Sequence, residues 1–569
     1  MPVGWIEVKT IVAWIILGLA IVSFVTVALI PLNLLHPPLN PLDNSNTLIS
    51  DNQDISSSPH PYQPQLLIAA LKSFYQPQSQ EDQPVNPSDE DKITKLVRLF
   101  NSYFEETFRT SGIPGAAVVI VYNDQIIYMK PLGVKKIGEP DPIDIDTLFQ
   151  IGSCTKAFTA TAIASLVDKG IMTWDDTARG YYPDHSYFDL YDPQVADEIT
   201  IRDLLSHRSG LPQHAGTFHV LDFWYDFDET LYRLRFLKPE SEFRTKYAYQ
   251  NILLALAGYA SGDATGMSWD DVMKQEIFLP LEMFTSTTNL QGYLNSPNHA
   301  SGHRIINGQT HYVDPINLDP MGPAGTISAS IKELANWLRF QLNMGKFNGQ
   351  QIVSSQSLAE THQPHILIKE YPQFNLSYGL GWLVYTGSYN AVEHTGSTRT
   401  FNSNTYVLNS ENLGMIVITN EGTSGNYYGE LLFNALYSLY KKGVLPASAT
   451  VSDYVPPQED DIQSLLENNK LPVILTFDPL PYPIDNYAGN YYSDYWGNIK
   501  VEKKNDSSLL LFPGKNPNPI TLNHYSSNTF NESDYETEVT FSDFTSGQPQ
   551  QVFIQRWALF GENGTFIRV

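Results

Sequence analysis

Ser153 and Lys156, in the stretch Phe149-Gln-Ile-Gly-Ser-Cys-Thr-Lys156, place a hydroxyl and an amine one helical turn apart. Positions i and i+3 share a helix face, so a lysine whose ammonium is partly desolvated can hold its nitrogen within hydrogen-bond reach of the serine oxygen. That pairing makes a serine into a nucleophile. The spacing alone is cheap, because Ser438-Leu-Tyr-Lys441 repeats it inside what reads as an ordinary amphipathic helix over residues 431–442. The setting separates the first copy: an apolar approach ends in Gly152, a helical pattern follows over residues 157–169, and Gly170 reads as its stop. Ser153 is therefore expected at a helix N-terminus, where backbone N–H groups and the helix dipole favour an alkoxide and a neighbouring oxyanion. Cys154 is the only cysteine, which excludes an internal disulfide. Adjacent helix positions point apart, so it reads as a packed thiol and not as a second nucleophile.

A serine nucleophile needs a proton acceptor and groups that orient its substrate. Tyr249-Gln-Asn251 begins an apolar run over residues 252–260, at a junction of loop and helix, where a phenol can shuttle protons. Tyr293-Leu-Asn295 has the same spacing with no apolar helix behind it. His394-Thr395-Gly396-Ser397 lies beside a strand pattern, and Gly396 would let backbone approach a ligand closely.

The elements that must position these residues follow from periodicity. Residues 92–108 have helical spacing, and residues 115–129 read as two strands around an Asn123-Asp124 hairpin turn. Helices and loops dominate until strand character returns at residues 381–385, 404–408 and 415–419, followed by the helix at 431–442. Strands at both ends of a unit predict one antiparallel sheet built from both, with the helices between. From about residue 485 short alternating runs, among them 498–502, 536–541 and 551–560, predict a small antiparallel sheet or barrel. Tyr487, Tyr491, Tyr492, Tyr495 and Trp496 read as its core, with a ligand-binding face as the alternative.

At 569 residues, 42 % apolar and 12 % aromatic, the chain can fill a large core and a second domain. A net charge of -26 and no dense basic stripe exclude a nucleic-acid partner. Residues 11–30 form an uncharged apolar run with the ~20-residue length of a bilayer-crossing helix. Lys9 precedes it and no Lys or Arg follows until Lys72, so the N-terminus is expected in the cytoplasm and the bulk of the chain outside or in a lumen. Secretion after cleavage near Thr26-Val-Ala28 is the alternative. Sequons at Asn375, Asn505, Asn531 and Asn563 are compatible with glycosylation. The expected organisation is a cytoplasmic tail (1–10), a transmembrane anchor (11–31), a stalk rich in Pro, Ser, Asn, Asp and Gln (32–91), a catalytic domain (92–443), a connector (444–484) and a β-rich domain (485–569).

In their order, Ser-x-x-Lys, Tyr-x-Asn and His-Thr-Gly resemble the motifs of the serine β-lactamase and penicillin-binding-protein-like family, in its peptidase S12-like branch of class C β-lactamases, DD-peptidases and esterases. Asp146-Thr-Leu-Phe149, the stretch Thr200-Ile-Arg-Asp-Leu-Leu-Ser-His-Arg-Ser-Gly-Leu-Pro212 and Gly325-Thr-Ile-Ser328 belong to the same resemblance, and the C-terminal tail is similar to the lipocalin-like domain of some relatives. The resemblance implies an α+β fold, an antiparallel sheet flanked by helices with the site beside it, plus the small all-β domain. It implies that Ser153 attacks a carbonyl, that Lys156 and Tyr249 share the proton relay, and that Asn251 orients groups in the cleft. The backbone N–H groups of Ser153 and Ser397 would form an oxyanion hole, with His394, Thr395 and Gly396 along the substrate. His207 would be structural. His394 stands where many β-lactamases have lysine, and a partly cationic histidine binds a substrate carboxylate less firmly. Arg399-Thr400 stands where the family often has Pro-Gly, so Arg399 would either grip an anionic substrate group or face solvent paired to one of the many carboxylates.

The function expected is that of a membrane-anchored serine hydrolase, forming an acyl-enzyme on a peptide, ester or lactam and needing no metal or cofactor. Peptidase or esterase activity ranks above true β-lactamase activity. The alternative is a surface-displayed binding protein that keeps the fold without catalysis.

Overall fold

The computed structural model describes residues 92–306, 308–446, 469–472, 478–560 and 563–569. The tail, anchor and stalk expected over residues 1–91, and most of the connector, lie outside them. Among the described residues no helix is long and apolar enough to cross a membrane.

An eight-stranded sheet organises the larger part of the chain. Its strands are β1 (Gly115–Tyr122), β2 (Gln125–Gly133), β3 (Ile366–Glu370), β4 (Phe374–Tyr378), β5 (Leu383–Gly387), β6 (Ala391–Ser397), β7 (Asn402–Leu408) and β8 (Leu413–Thr419). The order is β2-β1-β8-β7-β6-β5-β4-β3, antiparallel throughout. Asn123 and Asp124 both take left-handed backbone (φ 49 and 63), the geometry of a tight hairpin between β1 and β2. The hairpin closes on the far end of the chain, with β1 running against β8 from Ala116↔Thr419 to Tyr122↔Leu413. β3 and β4 add a hairpin that periodicity did not single out, because most of their side chains are only partly buried or exposed near the sheet edge.

β1 is apolar almost continuously because both of its faces are covered. Ala116, Val118 and Ile120 face a cluster with Phe100 and Phe104 of α1 (Lys92–Ser111), whereas Ala117, Val119 and Val121 face the opposite cluster. That second cluster holds α2 (Thr155–Asp168), α3 (Asn251–Thr265) and α4 (Ile331–Leu342). The first is completed by α5 (Gly425–Lys442), which buries Leu432, Phe433 and Leu436. α2 and α3 are buried nearly all round, which is why their sequences lack a polar stripe.

The C-terminal part closes into a barrel of β9 (Gly489–Ser493), β10 (Gly497–Asn505), β11 (Ser508–Pro513), β12 (Ile520–Ser526), β13 (Thr529–Glu532), β14 (Glu538–Thr545), β15 (Gln548–Ile554) and β16 (Thr565–Arg568). The fold class is thus the expected α+β sheet with an all-β barrel beside it. Tyr487, Tyr491, Phe530, Phe541 and Phe566 are buried, and Tyr487 packs on Phe530 and Phe541 with ring centroids 5.6 and 5.2 Å apart. Tyr487 and Tyr491 are therefore core. Residues 551–560 are not one strand: β15 ends at Ile554 and the chain turns into α6 (Gln555–Ala558). Trp557 and Phe560, three apart and both buried, carry helical spacing inside a run that looked alternating.

The barrel docks on residues 214–233. Trp496 and Trp557 pack on Phe223, Gly216 N–H donates to Tyr495 Oη at 2.8 Å, and Arg233 donates to the Asp494 carbonyl at 2.8 Å.

Candidate active site

Ser153 is half-buried in a one-turn 3-10 segment, Gly152–Cys154, directly before α2. The turn lies against the end of β6. Gly152 has φ +50, and a Cβ there would stand 2.6 Å from the backbone nitrogen of Ser397. Ser403 Oγ donates to the Ile151 carbonyl at 2.7 Å and fixes the approach. The exposed Ser397 and the Ser153 turn thus lie side by side. Cys154 points the other way, donating to the His394 carbonyl at 3.1 Å, and burial pushes its thiol up to about 11.

Lys156, in the first turn of α2, is fully buried. Its Nζ lies 2.7 Å from Asn251 Oδ1, 2.8 Å from the Ala324 carbonyl and 3.1 Å from Ser153 Oγ. Burial holds its pKa well below the ordinary lysine value. A neutral amine has two N–H bonds and one lone pair. Asn251 Oδ1 and the Ala324 carbonyl can only accept, so when the amine is unprotonated its N–H bonds go to them and its lone pair faces the Ser153 hydroxyl.

Tyr249 is half-buried, with its ring centroid 4.6 Å from Lys156 Nζ. Burial raises its pKa, a hydrogen bond with Ser153 opposes that in part, and the phenol keeps its proton at neutral pH. Its carbonyl accepts from the His214 N–H at 2.7 Å, and its ring packs on His207 at 4.5 Å and His214 at 5.5 Å. His207 Nδ1 accepts from the Gln250 N–H at 3.2 Å, between Tyr249 and Asn251, a supporting position that fits a structural residue. Asn251 uses its amide on Lys156 and on Thr217 Oγ1, at 3.2 Å, and so holds the lysine.

Two expectations change. His394 does not offer a cation to substrate: it is 4 % exposed, its Nδ1 lies 2.6 Å from the Thr395 carbonyl and its Nε2 2.8 Å from Tyr378 Oη. Burial pulls its pKa down to about 3, so the ring is neutral. Arg399 turns toward the barrel, its Nη2 3.9 Å from Asp222 Oδ1 and its guanidinium 6.0 Å from the Tyr535 ring, and is no free grip for a substrate anion. Thr395 and Gly396 lie on β6 between these two, half-buried and buried.

Asn375, Asn505 and Asn563 are exposed, whereas Asn531 is half-buried on β13. The second Ser-x-x-Lys is inert: Ser438 donates to the Val444 carbonyl at 2.9 Å while Lys441 pairs with Glu411 at 2.7 Å. Among the described residues no group of His, Cys, Asp and Glu side chains is gathered to hold a metal. Tyr378, His214 and the Ala324 carbonyl were missed. The Gly325-Thr-Ile-Ser328 motif next to Ala324 was a signal for the last, and Gly381 (φ +78), close to the Lys156 carbonyl, was one for the strand end near Tyr378.

The sequence profile of the family described as Beta-lactamase matches residues 100–439. The chain belongs to the beta-lactamase family. Among its relatives, Unguisins hydrolase ungD' of Aspergillus campestris is 26% identical over 452 residues, covering 74% of this chain and 80% of that protein. Beta-lactamase-like protein 2 of Dictyostelium discoideum is 28% identical, covering 49% of this chain and 50% of that protein. Protein flp of Staphylococcus aureus is 26% identical, covering 56% and 62%. The octameric penicillin-binding protein homologue from Pyrococcus abyssi shares the fold, with a TM-score of 0.53 at 20% identity over 83% of this chain and 100% of that one. Beta-lactamase-family membership and hydrolase-named relatives make this chain, at the family level, a serine-hydrolase-type protein.

Proposed function

We propose that this protein is a serine hydrolase that forms an acyl-enzyme on Ser153, with Lys156 as general base, and that it acts on peptide or ester carbonyls in preference to lactams. The observation that carries the proposal is the environment of Lys156 Nζ, a buried amine with two acceptors at 2.7 and 2.8 Å and the Ser153 hydroxyl at 3.1 Å. In the reaction Ser153 Oγ attacks the carbonyl carbon as its proton passes to Lys156 Nζ. The tetrahedral oxygen is held by the N–H groups of Ser153 and Ser397, each supplying ~3 kcal/mol of barrier reduction. The Tyr249 phenol gives its proton to the leaving group and regains one from the protonated Lys156, and water or an amine then attacks the acyl carbonyl and frees the Ser153 hydroxyl.

The preference for peptides and esters rests on His394. A neutral ring engaged at both nitrogens offers a substrate carboxylate no cation, so acyl donors without a carboxylate gain over carboxylate-bearing lactams. The apolar run at residues 11–30 supports placing the hydrolase on a membrane with the rest of the chain outside, which protease protection in sealed vesicles tests.

The decisive experiment treats the full chain with a serine-directed fluorophosphonate. Labelling that disappears in Ser153→Ala supports the hydrolase; a folded wild-type protein that takes no label refutes it and favours the binding protein. Parallel assays with D-amino-acid peptides, short esters and a chromogenic lactam rank the substrates.

A further inference from the structure

The barrel reaches the site by two routes that leave one short stretch of its chain. In the first, Arg556 donates to Asp222 Oδ1 at 2.7 Å and Trp557 Nε1 donates to Asp222 Oδ2 at 2.9 Å. Arg399, two residues beyond Ser397, stands 3.9 Å from the same Oδ1. In the second, Phe560 packs on Phe218 and on His214, with ring centroids 4.5 and 6.0 Å apart. His214 packs in turn on Tyr249 and donates its backbone N–H to the Tyr249 carbonyl. One route thus ends at the turn behind the Ser397 N–H, and the other at the phenol of the proton relay.

The chemistry of the first route argues against a mere docking contact. Asp222 and Arg556 side chains are 5 % and 3 % exposed, and Arg556 also faces Glu532 at 3.7 Å and Asp534 at 3.5 Å. A buried ion pair adds little net stability over apolar residues of the same volume, so what it supplies here is direction. Asp222, held on both oxygens by barrel donors, presents a fixed negative charge to Arg399.

We propose that the barrel is a working part of the active site, in which Arg556 and Phe560 are positioning residues for the Ser397 turn and for Tyr249. The inference rests on the hydrolase reading. Its test measures the rate constant of fluorophosphonate labelling in the full chain, a quantity that does not depend on how much protein is folded. The same preparations are assayed for kcat and KM on p-nitrophenyl acetate. Arg556→Lys keeps the charge and loses the planar fork; Phe560→Leu keeps the volume and loses the ring contact with His214. Lys515→Ala removes the exposed Lys515–Asp226 pair of the same interface as a control. Arg556→Lys and Phe560→Leu are expected to lower kcat and the labelling rate constant about tenfold with KM little changed, since small displacements of a catalytic group are costly. Lys515→Ala is expected to match wild type. Unchanged rate constants in both variants overturn the inference while the labelled wild type upholds the hydrolase, as does a change confined to KM. Absence of labelling in folded wild type overturns both.

Discussion

The hydroxyl of Tyr378 donates to Nε2 of His394 across 2.8 Å, while the other ring nitrogen of His394 donates to the Thr395 carbonyl at 2.6 Å. That pairing fixes the tautomer, keeps the ring uncharged and turns the histidine of the His-Thr-Gly motif into a brace under β6. The positive charge that many β-lactamases place here is absent from this position.

Removing the Tyr378 hydroxyl leaves a buried nitrogen without its donor. Tyr378→Phe is expected to lower stability by about 1–3 kcal/mol in urea denaturation, the usual penalty for an orphaned buried polar group. A loss below the error of the measurement would show that water replaces the hydroxyl and that the brace is unimportant.

In the proposed mechanism Lys156 sets the pH dependence. Its amine must be unprotonated to accept the Ser153 proton, and burial holds its pKa well below the ordinary 10.5. Activity on a neutral ester is therefore expected to extend well below pH 10.5 and to fall as pH drops through the lowered value. His394, already neutral above about 3, adds no inflection near 6.5. Lys156→Met should reduce kcat by on the order of 10²–10⁴ and abolish the acid limb in a pH–rate profile.

Cys154 tests how tightly the back of the nucleophile turn is packed. Its thiol is 3 % exposed, donates to the His394 carbonyl and is pushed up to about 11 by burial. Ellman's reagent at pH 8 is expected to find no reactive thiol in the native protein and a single one per chain in denaturant, since the chain has 1 cysteine. Rapid reaction of the native protein would contradict the packing seen between β6 and α2.

Much of the site was legible because its parts sit on local rules. Ser153 and Lys156 obey helical spacing, Asn251 opens a helix, and Asn123-Asp124 announces the hairpin that begins the sheet. What escaped depends on contacts between segments far apart in sequence. The charge state of His394 is set by its burial, with Tyr378 of another strand on its ring nitrogen, and the direction of Arg399 by Asp222, which is itself held by Arg556 at the other end of the chain. Local periodicity also blurred where two patterns meet, as at Ile554, where a strand becomes a helical turn within one apolar run.

Gly152 is required by geometry on two counts. Its φ of +50 strains any L side chain, and a Cβ would press to 2.6 Å from the Ser397 nitrogen, the second proposed oxyanion donor. Gly152→Ala is expected to cut kcat on an ester about 10²–10³-fold, the effect of losing one such donor. A cooperative melting transition would show the variant folded, and near-wild-type turnover would mean that Ser397 N–H is not the donor.

Behind the site, Glu393 of β6 and Glu430 of α5 are buried on the sheet face opposite His394, among Tyr385, Tyr389 and Tyr406. Tyr385 Oη donates to Glu393 Oε1 at 2.7 Å. Burial raises Glu393 to about 7 and Glu430 to about 8, the latter also through the charge of Glu393. Both carboxyls are thus protonated in the fold where the unfolded chain, near 4.5, has already ionised. The stability they contribute is fully present below about pH 4.5 and is lost as pH rises through about 7 to 8. Urea denaturation is expected to show wild type losing on the order of 3 kcal/mol between pH 5 and 9. Glu393→Gln with Glu430→Gln should flatten that slope and leave the double variant more stable than wild type at pH 9. An equally steep slope in the double variant would assign the pH dependence to other groups.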